Sequence, residues 1–498
     1  MTETKKSICN MLSGLILQVV TMMVGLIIPR LVLVHYGSET NGLLNSITQI
    51  FNYVALLEAG VGIVSTQALY ERLAKHDYSG ISSCLSATVH YYRNTGLIYS
   101  AVVFLCAVIY PWIVHTEINR WEVFWIIISF GLNGTFNFFI SGQYRILLEA
   151  DGQKYIINTV NLTVSIFANI CKAVLIIFGF SVVTMQVGYS LVALMQVLGI
   201  WFYGKSQYSW LDRMAVPDLQ AVSQRYSALV HQVSGLIFGS TDMILLSVFC
   251  DFKMVSVYST YSMITNLVSN LLAQISGSVS FKMGQLYQAD KDKYLLFHHI
   301  FEIVNFIIVF TAFTVTYLYL LPFISLYTEG ITDVNYLDKR LPILFVLVQL
   351  LSSGRIASGN VINYAGHFQK TQSRAVLESA INIVVSVVGI YYLGIYGALM
   401  GTIAALMYRV NDVAWYSAKK LLNISPWYTY RRWISCGILF AGISMLSKSF
   451  SFTVNNYGQL LLKAVMSGVI ILFLYTGMEL ILERKIIRDC KQYLKQFL

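Results

Sequence analysis

Residues 11–36 read MLSGLILQVVTMMVGLIIPRLVLVHY. Only Arg30 brings a fixed charge into that run. A helix of roughly 20 mostly apolar residues crosses a bilayer, so this segment is long enough. Working outward, comparable runs follow near 41–70, 85–114, 121–148, 154–179, 182–204, 226–249, 254–281, 295–327, 341–364, 371–393, 396–418, 430–449 and 458–483. The fold class expected is an all-α integral membrane protein with about fourteen transmembrane helices. Composition agrees: 56% of residues are hydrophobic and 12% are charged, about half the charge of a soluble domain.

The net charge of +10 would suggest nucleic acid in a soluble protein. Here the charges sit in short segments between apolar runs, so they read as membrane orientation and no nucleic-acid partner is expected. With the N-terminus placed in the cytoplasm, 24 Lys and Arg fall on cytoplasmic segments, including Arg72, Arg374, Arg409, Arg431 and Arg432. Only Arg120, Lys253, Lys339, Arg340 and Lys448 fall on the other side. That alternation supports an even number of spans with both termini cytoplasmic. Lys5 and Lys6 precede an apolar run too long for a signal peptide, and no small-residue cleavage site closes it.

The division expected is a six-helix lobe at 1–204, an amphipathic cytoplasmic linker at 205–225, and a second six-helix lobe at 226–421. A further helix pair at 422–483 and a basic amphipathic tail at 484–498 complete the chain. Ser13-Gly14-Leu15-Ile16 recurs as Ser234-Gly235-Leu236-Ile237, a short hint of duplication. The seven cysteines show neither zinc nor disulfide-framework spacing, and no GxxxxGK[ST] run is present. No metal, cofactor or catalytic residue is indicated, and the connections are too short for a separate catalytic domain.

Charge inside a bilayer costs about 3 kcal/mol per residue on insertion scales, so intramembrane charges are the candidate functional residues. Five cations lie within spans: Arg30, Arg93, Lys172, Arg355 and Lys463. Arg30 follows Pro29, which frees a backbone carbonyl, so it is either a cavity residue or an end-proximal cation snorkelling to the interface. Arg355 sits mid-span between small residues in Ser352-Ser353-Gly354-Arg355, where snorkelling is difficult; a cavity role competes with a buried ion pair. Arg93 and Lys172 lie nearer span ends, and Lys463 reads as interfacial. Among the acids, Asp242 and Glu58 are mid-span candidates for ion coupling or for an ion pair, with Glu378 nearer the cytoplasmic end. His231 lies in the same span as Asp242. Gly235–Gly239 and Gly397–Gly401 read as close helix packing. Ser256, Tyr258, Ser259, Thr260, Tyr261 and Ser262 give the eighth span a polar face, suited either to a hydrated lumen or to interhelical hydrogen bonds.

The segment 228–262, ALVHQVSGLIFGSTDMILLSVFCDFKMVSVYSTYS, resembles the multidrug/oligosaccharidyl-lipid/polysaccharide (MOP) exporter superfamily. So do SGLILQ at 13–18 and YGSETNGLLNSITQIFNYVALLEAGVGIV at 36–64. Within the superfamily the chain looks like the polysaccharide or O-antigen repeat-unit flippases (Wzx-type). The resemblance implies two six-helix lobes around a central cavity, with a C-terminal helix pair added, in the MOP/MATE manner. It implies an undecaprenyl-diphosphate-linked oligosaccharide as cargo, moved by alternating access across the cytoplasmic membrane, for lipopolysaccharide or other surface polysaccharide. Implied partners are that lipid-linked oligosaccharide, the membrane lipids, and polymerase or glycosyltransferase machinery, with the chain itself a monomer. Related flippases of lipid-linked peptidoglycan precursors use cavity arginines in their early helices. Arg30 matches that pattern in kind, but Glu58 stands mid-span in the second helix where an arginine would be wanted.

Physical chemistry fits that expectation, because arginine presents a permanently charged fork to phosphate oxygens. Two readings compete. A MATE-like drug or cation antiporter would want an acid-dominated cavity. A membrane polymerase or ligase would want a substantial outer loop; the longest here, near 328–340, carries Glu329, Asp333 and Asp338 without close catalytic spacing.

Overall fold

A computed structural model describes residues 3–212, 214–219, 241–447, 454–484, 486 and 488 of the chain. Long apolar runs with few prolines leave the backbone one way to satisfy its polar groups in lipid, which is to coil on itself. The described residues are accordingly helical, with no strand among them.

The chain divides into two compact units, 1–256 and 257–498. The first contains α1 (Glu3–Val54), α2 (Leu56–Ala74), α3 (Tyr78–Ile113), α4 (Arg120–Phe136) and α5 (Gly142–Ala150). It continues with α6 (Lys154–Ile177), α7 (Val182–Gln207) and helical residues 241–249. A π-turn at Asn137–Ser141 joins α4 to α5. The first turn of α8 (Phe252–Ala289) belongs to this unit and the rest to the second. The second unit adds α9 (Lys291–Tyr327), α10 (Leu341–Gly354), α11 (Ile356–Tyr364), α12 (Phe368–Leu393) and α13 (Ile395–Tyr416). After a π-turn at Ser417–Leu422 come α14 (Trp427–Ser447) and α15 (Tyr457–Leu482).

These elements match the fold expected from the apolar runs. Nine helical segments among the described residues are long and apolar enough to cross a membrane. The remaining expected spans are fused across a kink, interrupted by polar residues, or outside the described residues. The kink is in α1, which covers the first span and about half of the second. The helix runs through Pro29 and loses helical dihedrals at Gly37, where φ is 82°. That conformation carries no steric penalty for glycine, so the bend sits at Gly37.

Unit 1 has a core of Tyr92, Tyr99, Phe138, Tyr144 and Leu147, where α3 meets α5 and the π-turn. The segment after α7 is pinned to this unit. Arg72 bonds Asp218 at 2.7 Å, and the Asp218 amide donates to the Ser83 carbonyl at 3.1 Å. In unit 2, Phe306, Phe310, Phe313, Leu350, Phe440 and Tyr475 share one core, so the C-terminal pair α14–α15 is packed into the lobe beside α9. Asp290 caps α9. The Lys293 backbone amide donates to its carboxylate at 3.1 Å and holds that carboxyl below its ordinary pKa.

The α12–α13 hairpin is packed backbone to backbone. Gly394 turns it with φ of 56°, and the hairpin then closes on Gly397 and Gly401. A Cβ at Gly397 would fall 1.9 Å from the carbonyl carbon of Gly389, which is backbone that cannot step aside. We expect Gly397→Ala to cost about 1–3 kcal/mol, as overpacking does, read as a lower melting temperature in detergent. An unchanged melting temperature would refute that close packing. The companion pair Gly235–Gly239 lies outside the described residues.

Candidate functional site

The break between α10 and α11 falls on Arg355, whose backbone (φ −79°, ψ −7°) ends one helix and begins the next. Its side chain reaches Glu378 on α12, with Nη1 donating to Oε1 at 2.7 Å. The other carboxylate oxygen of Glu378 faces Arg409 Nε on α13 at 3.3 Å. Arg409 also donates through Nη1 to Asp412 Oδ2 at 2.9 Å, and Asp412 pairs in turn with Arg374 on α12. The chain Arg355–Glu378–Arg409–Asp412–Arg374 is thus one continuous network across three helical segments.

Sequence spacing explains the assembly. Arg374 and Glu378 lie one turn apart on α12, and Arg409 and Asp412 one turn apart on α13, so each pair shares a helix face. The Gly397 and Gly401 contacts bring those two faces together. Glu378 is ten residues into α12, about 15 Å along the helix from its start. The acids are buried, with side chains 9% and 10% exposed for Glu378 and Asp412. Arg355 is 25% exposed, so the guanidinium at the end of the chain retains an accessible edge. Among the described residues, three arginines and two carboxylates make up the network. Burying such groups is costly unless they are paired, and here each is paired.

The other candidates lie apart from this network. Arg30 is half-buried on α1, and Arg93 and His90 are exposed on α3. Lys172 is half-buried on α6 with Nζ over the Tyr189 ring of α7, 5.1 Å from its centroid. Asp242 is buried in unit 1 beside Thr241, whose hydroxyl meets Tyr53 at 2.6 Å. Glu58 is on α2, but its side chain lies outside the described residues, as does all of His231. The polar face of α8 is buried throughout. Asn41 donates to Ser256 at 2.8 Å, and Tyr261 donates to the Tyr336 carbonyl at 2.6 Å, which is the hydrogen-bonding role rather than a lumen lining.

Arg374, Arg409, Arg431 and Arg432, counted with the cytoplasmic cations by their position in the sequence, each lie on a helix and in an ion pair. Arg432 is fully buried on α14, between Glu302 of α9 and Glu483 at the end of α15, 3.2 Å from the latter. Thr429 donates to Glu302 at 2.7 Å, and Arg431 reaches Glu483 at 2.5 Å. The available signal was three carboxylates, Glu302, Glu479 and Glu483, in or beside apolar runs, which demand cationic partners within the protein.

No family model matches the chain, and neither does any curated protein. Solved structures do. One is the lipid II flippase MurJ in an inward closed conformation, at 13% identity and a TM-score of 0.71, covering 97% of this chain and 100% of that one. Another is a multidrug resistance MATE family transporter of the MOP superfamily, inward-facing, at 14% identity and 0.60, covering 79% and 95%. A MATE in its bent conformation follows at 13% and 0.53, covering 90% and 98%. At such identities the likeness is one of fold: this chain is an all-helical, multi-pass membrane protein with the fold of MOP-superfamily flippases and multidrug transporters.

Proposed function

We propose that this chain is a flippase for undecaprenyl-diphosphate-linked oligosaccharide repeat units, serving O-antigen or other surface polysaccharide assembly at the cytoplasmic membrane. Its two helical lobes alternate access to the cargo. The observation that carries this reading is the arginine-rich network ending at Arg355, which sets three arginines within the helices and leaves the Arg355 side chain 25% exposed. A diphosphate is a poor guest for an apolar lumen, and the guanidinium fork suits its oxygens. The extent of the likeness to a lipid II flippase, over that protein's whole length, supports a lipid-linked cargo. Arg30, Arg93 and Lys172 are further candidates for contacts with the cargo. No covalent chemistry is needed, because the reaction moves an intact lipid from one leaflet to the other.

The test is reconstitution in liposomes with a fluorescent polyprenyl-diphosphate oligosaccharide, scoring its accessibility to a reagent outside the vesicle. Protein-dependent transbilayer movement is expected. Movement of cationic drugs without movement of the lipid would favour an antiporter. Buried Asp242 gives that second reading its one specific support, and also makes it the candidate coupling group. If Asp242 couples transport to a proton or sodium gradient, Asp242→Asn transports at the same rate with and without the gradient. A gradient response preserved in that variant would remove the coupling role.

A further inference from the structure

Within unit 2, α9, α10 and α14 enclose a groove of about 650 Å3. Its walls are apolar and largely aromatic, built from Phe310, Leu347, Leu351, Trp433 and Phe440. Phe310 packs on Trp433, and Tyr317 on Phe440, each with ring centroids 5.7 Å apart, so the walls are held by one another.

The groove is polar at one end only. Lys339 and Arg340 stand where α10 begins, and Ser444 lies near the end of α14. The two helices run in opposite directions along the groove, so these groups gather at a single mouth. It lies on the side that the charge pattern leaves poor in cations, where two adjacent cations stand out. Both are exposed, and neither makes a salt bridge to a described residue. Ser444 is 8% exposed, and its Oγ lines the groove without a hydrogen-bond partner among the described residues. Buried hydroxyls are normally satisfied, so this one points to an acceptor that the described residues do not supply. From Arg340 to Leu351 the groove wall extends about 16 Å, close to half of the roughly 30 Å hydrocarbon core.

We infer that this groove binds one anionic phospholipid from the leaflet at its mouth. The headgroup phosphate sits on Lys339 and Arg340, Ser444 donates to an ester carbonyl just below, and an acyl chain lies along Phe310, Leu351 and Trp433. The apolar length excludes a soluble anion as a full match, and the paired cations favour a headgroup of net negative charge over a zwitterionic one. The lipid is a resident ligand, distinct from the cargo, and the inference does not depend on what the cargo is.

Brominated lipids test this, because bromine quenches tryptophan on contact and Trp433 lines the groove. The protein is reconstituted in dibrominated phosphatidylcholine, with dibrominated phosphatidylglycerol replacing a rising fraction. The signal attributed to Trp433 is the difference between the parent protein and Trp433→Phe. We expect that signal to show a clear preference for phosphatidylglycerol. At about fivefold per cation, Lys339→Gln with Arg340→Gln should lower the preference roughly 25-fold. Ala441→Leu, which fills the groove, should remove the Trp433 quenching by either lipid. The two exposed cation substitutions carry the test if that variant does not fold. Equal quenching by both lipids, or a preference that survives in the double variant, would overturn the site. Displacement by millimolar inorganic phosphate would reassign it to a free anion, and displacement by stoichiometric polyprenyl diphosphate would reassign it to the cargo. Either result overturns the resident-lipid inference.

Discussion

Arg432→Ala should lower the stability of the protein by about 3–5 kcal/mol, the loss expected when one partner of a buried ion pair is removed. The guanidinium is fully buried and joins Glu302 of α9 to Glu483 at the end of α15. These carboxylates are each 1% exposed, so water cannot replace the missing charge. Glu302 would keep the Thr429 hydroxyl and Glu483 would keep Arg431, which offsets only part of the loss. Thermal unfolding in detergent is the measurement. Arg431→Ala is the comparison: its side chain is 36% exposed and Glu483 keeps Arg432 as a partner, so a smaller loss is expected. Adding Glu302→Gln and Glu483→Gln to Arg432→Met should recover much of the stability, because the buried charge is then gone from both sides. A melting temperature for Arg432→Ala equal to the parent would show that the cluster does not hold α14 and α15 against α9.

The second large effect is on transport rather than on folding. Arg355→Ala should abolish export of surface polysaccharide while the protein inserts and unfolds normally. The fold is protected because Glu378 keeps its second partner, Arg409, at 3.3 Å after Arg355 is removed. The function is expected to suffer, because Arg355 is partly exposed and stands at the helix break, whereas Arg374, 32% exposed, lies within α12. A charge-assisted hydrogen bond contributes about 1.5–3 kcal/mol, so affinity for a polyprenyl diphosphate should fall roughly 10–100-fold. Arg355→Lys separates charge from geometry. Lysine keeps the positive charge but loses the fork, so intermediate affinity is expected. Wild-type export from Arg355→Ala would sink the assignment of this residue to the cargo. A parallel loss of melting temperature would make Arg355 a structural partner of Glu378 instead.

The two predictions separate two uses of buried charge. Around Arg432 every guanidinium nitrogen is enclosed, and the cluster joins three helices. Around Arg355 the network is closed on its acidic members and partly open at its two ends, Arg355 and Arg374. Both are built from arginine and carboxylate, and only their exposure tells them apart.

Much of the fold was legible from hydropathy, because a bilayer leaves a chain few ways to satisfy its backbone. Apolar runs marked the helices, and the gap between the first two spans lies at Gly37, where the dihedrals break. Arg355 was also legible, since a charge mid-span between small residues is conspicuous. Its partners were less so. Arg374 and Arg409 lie close enough to the basic ends of their spans to resemble orientation signals. Only the hairpin contacts at Gly397 and Gly401 bring them to Glu378 and Asp412.

By itself, then, the sequence determined that this chain is a many-helix membrane protein. That conclusion follows from composition and from local runs, each read within about twenty residues. Tertiary structure decided which charges are paired, which remain accessible and which merely hold helices together. An ion pair joins residues such as Glu302 and Arg432 that are 130 positions apart. No local window contains both, and the cost of burying either is known only once the helices around them have closed.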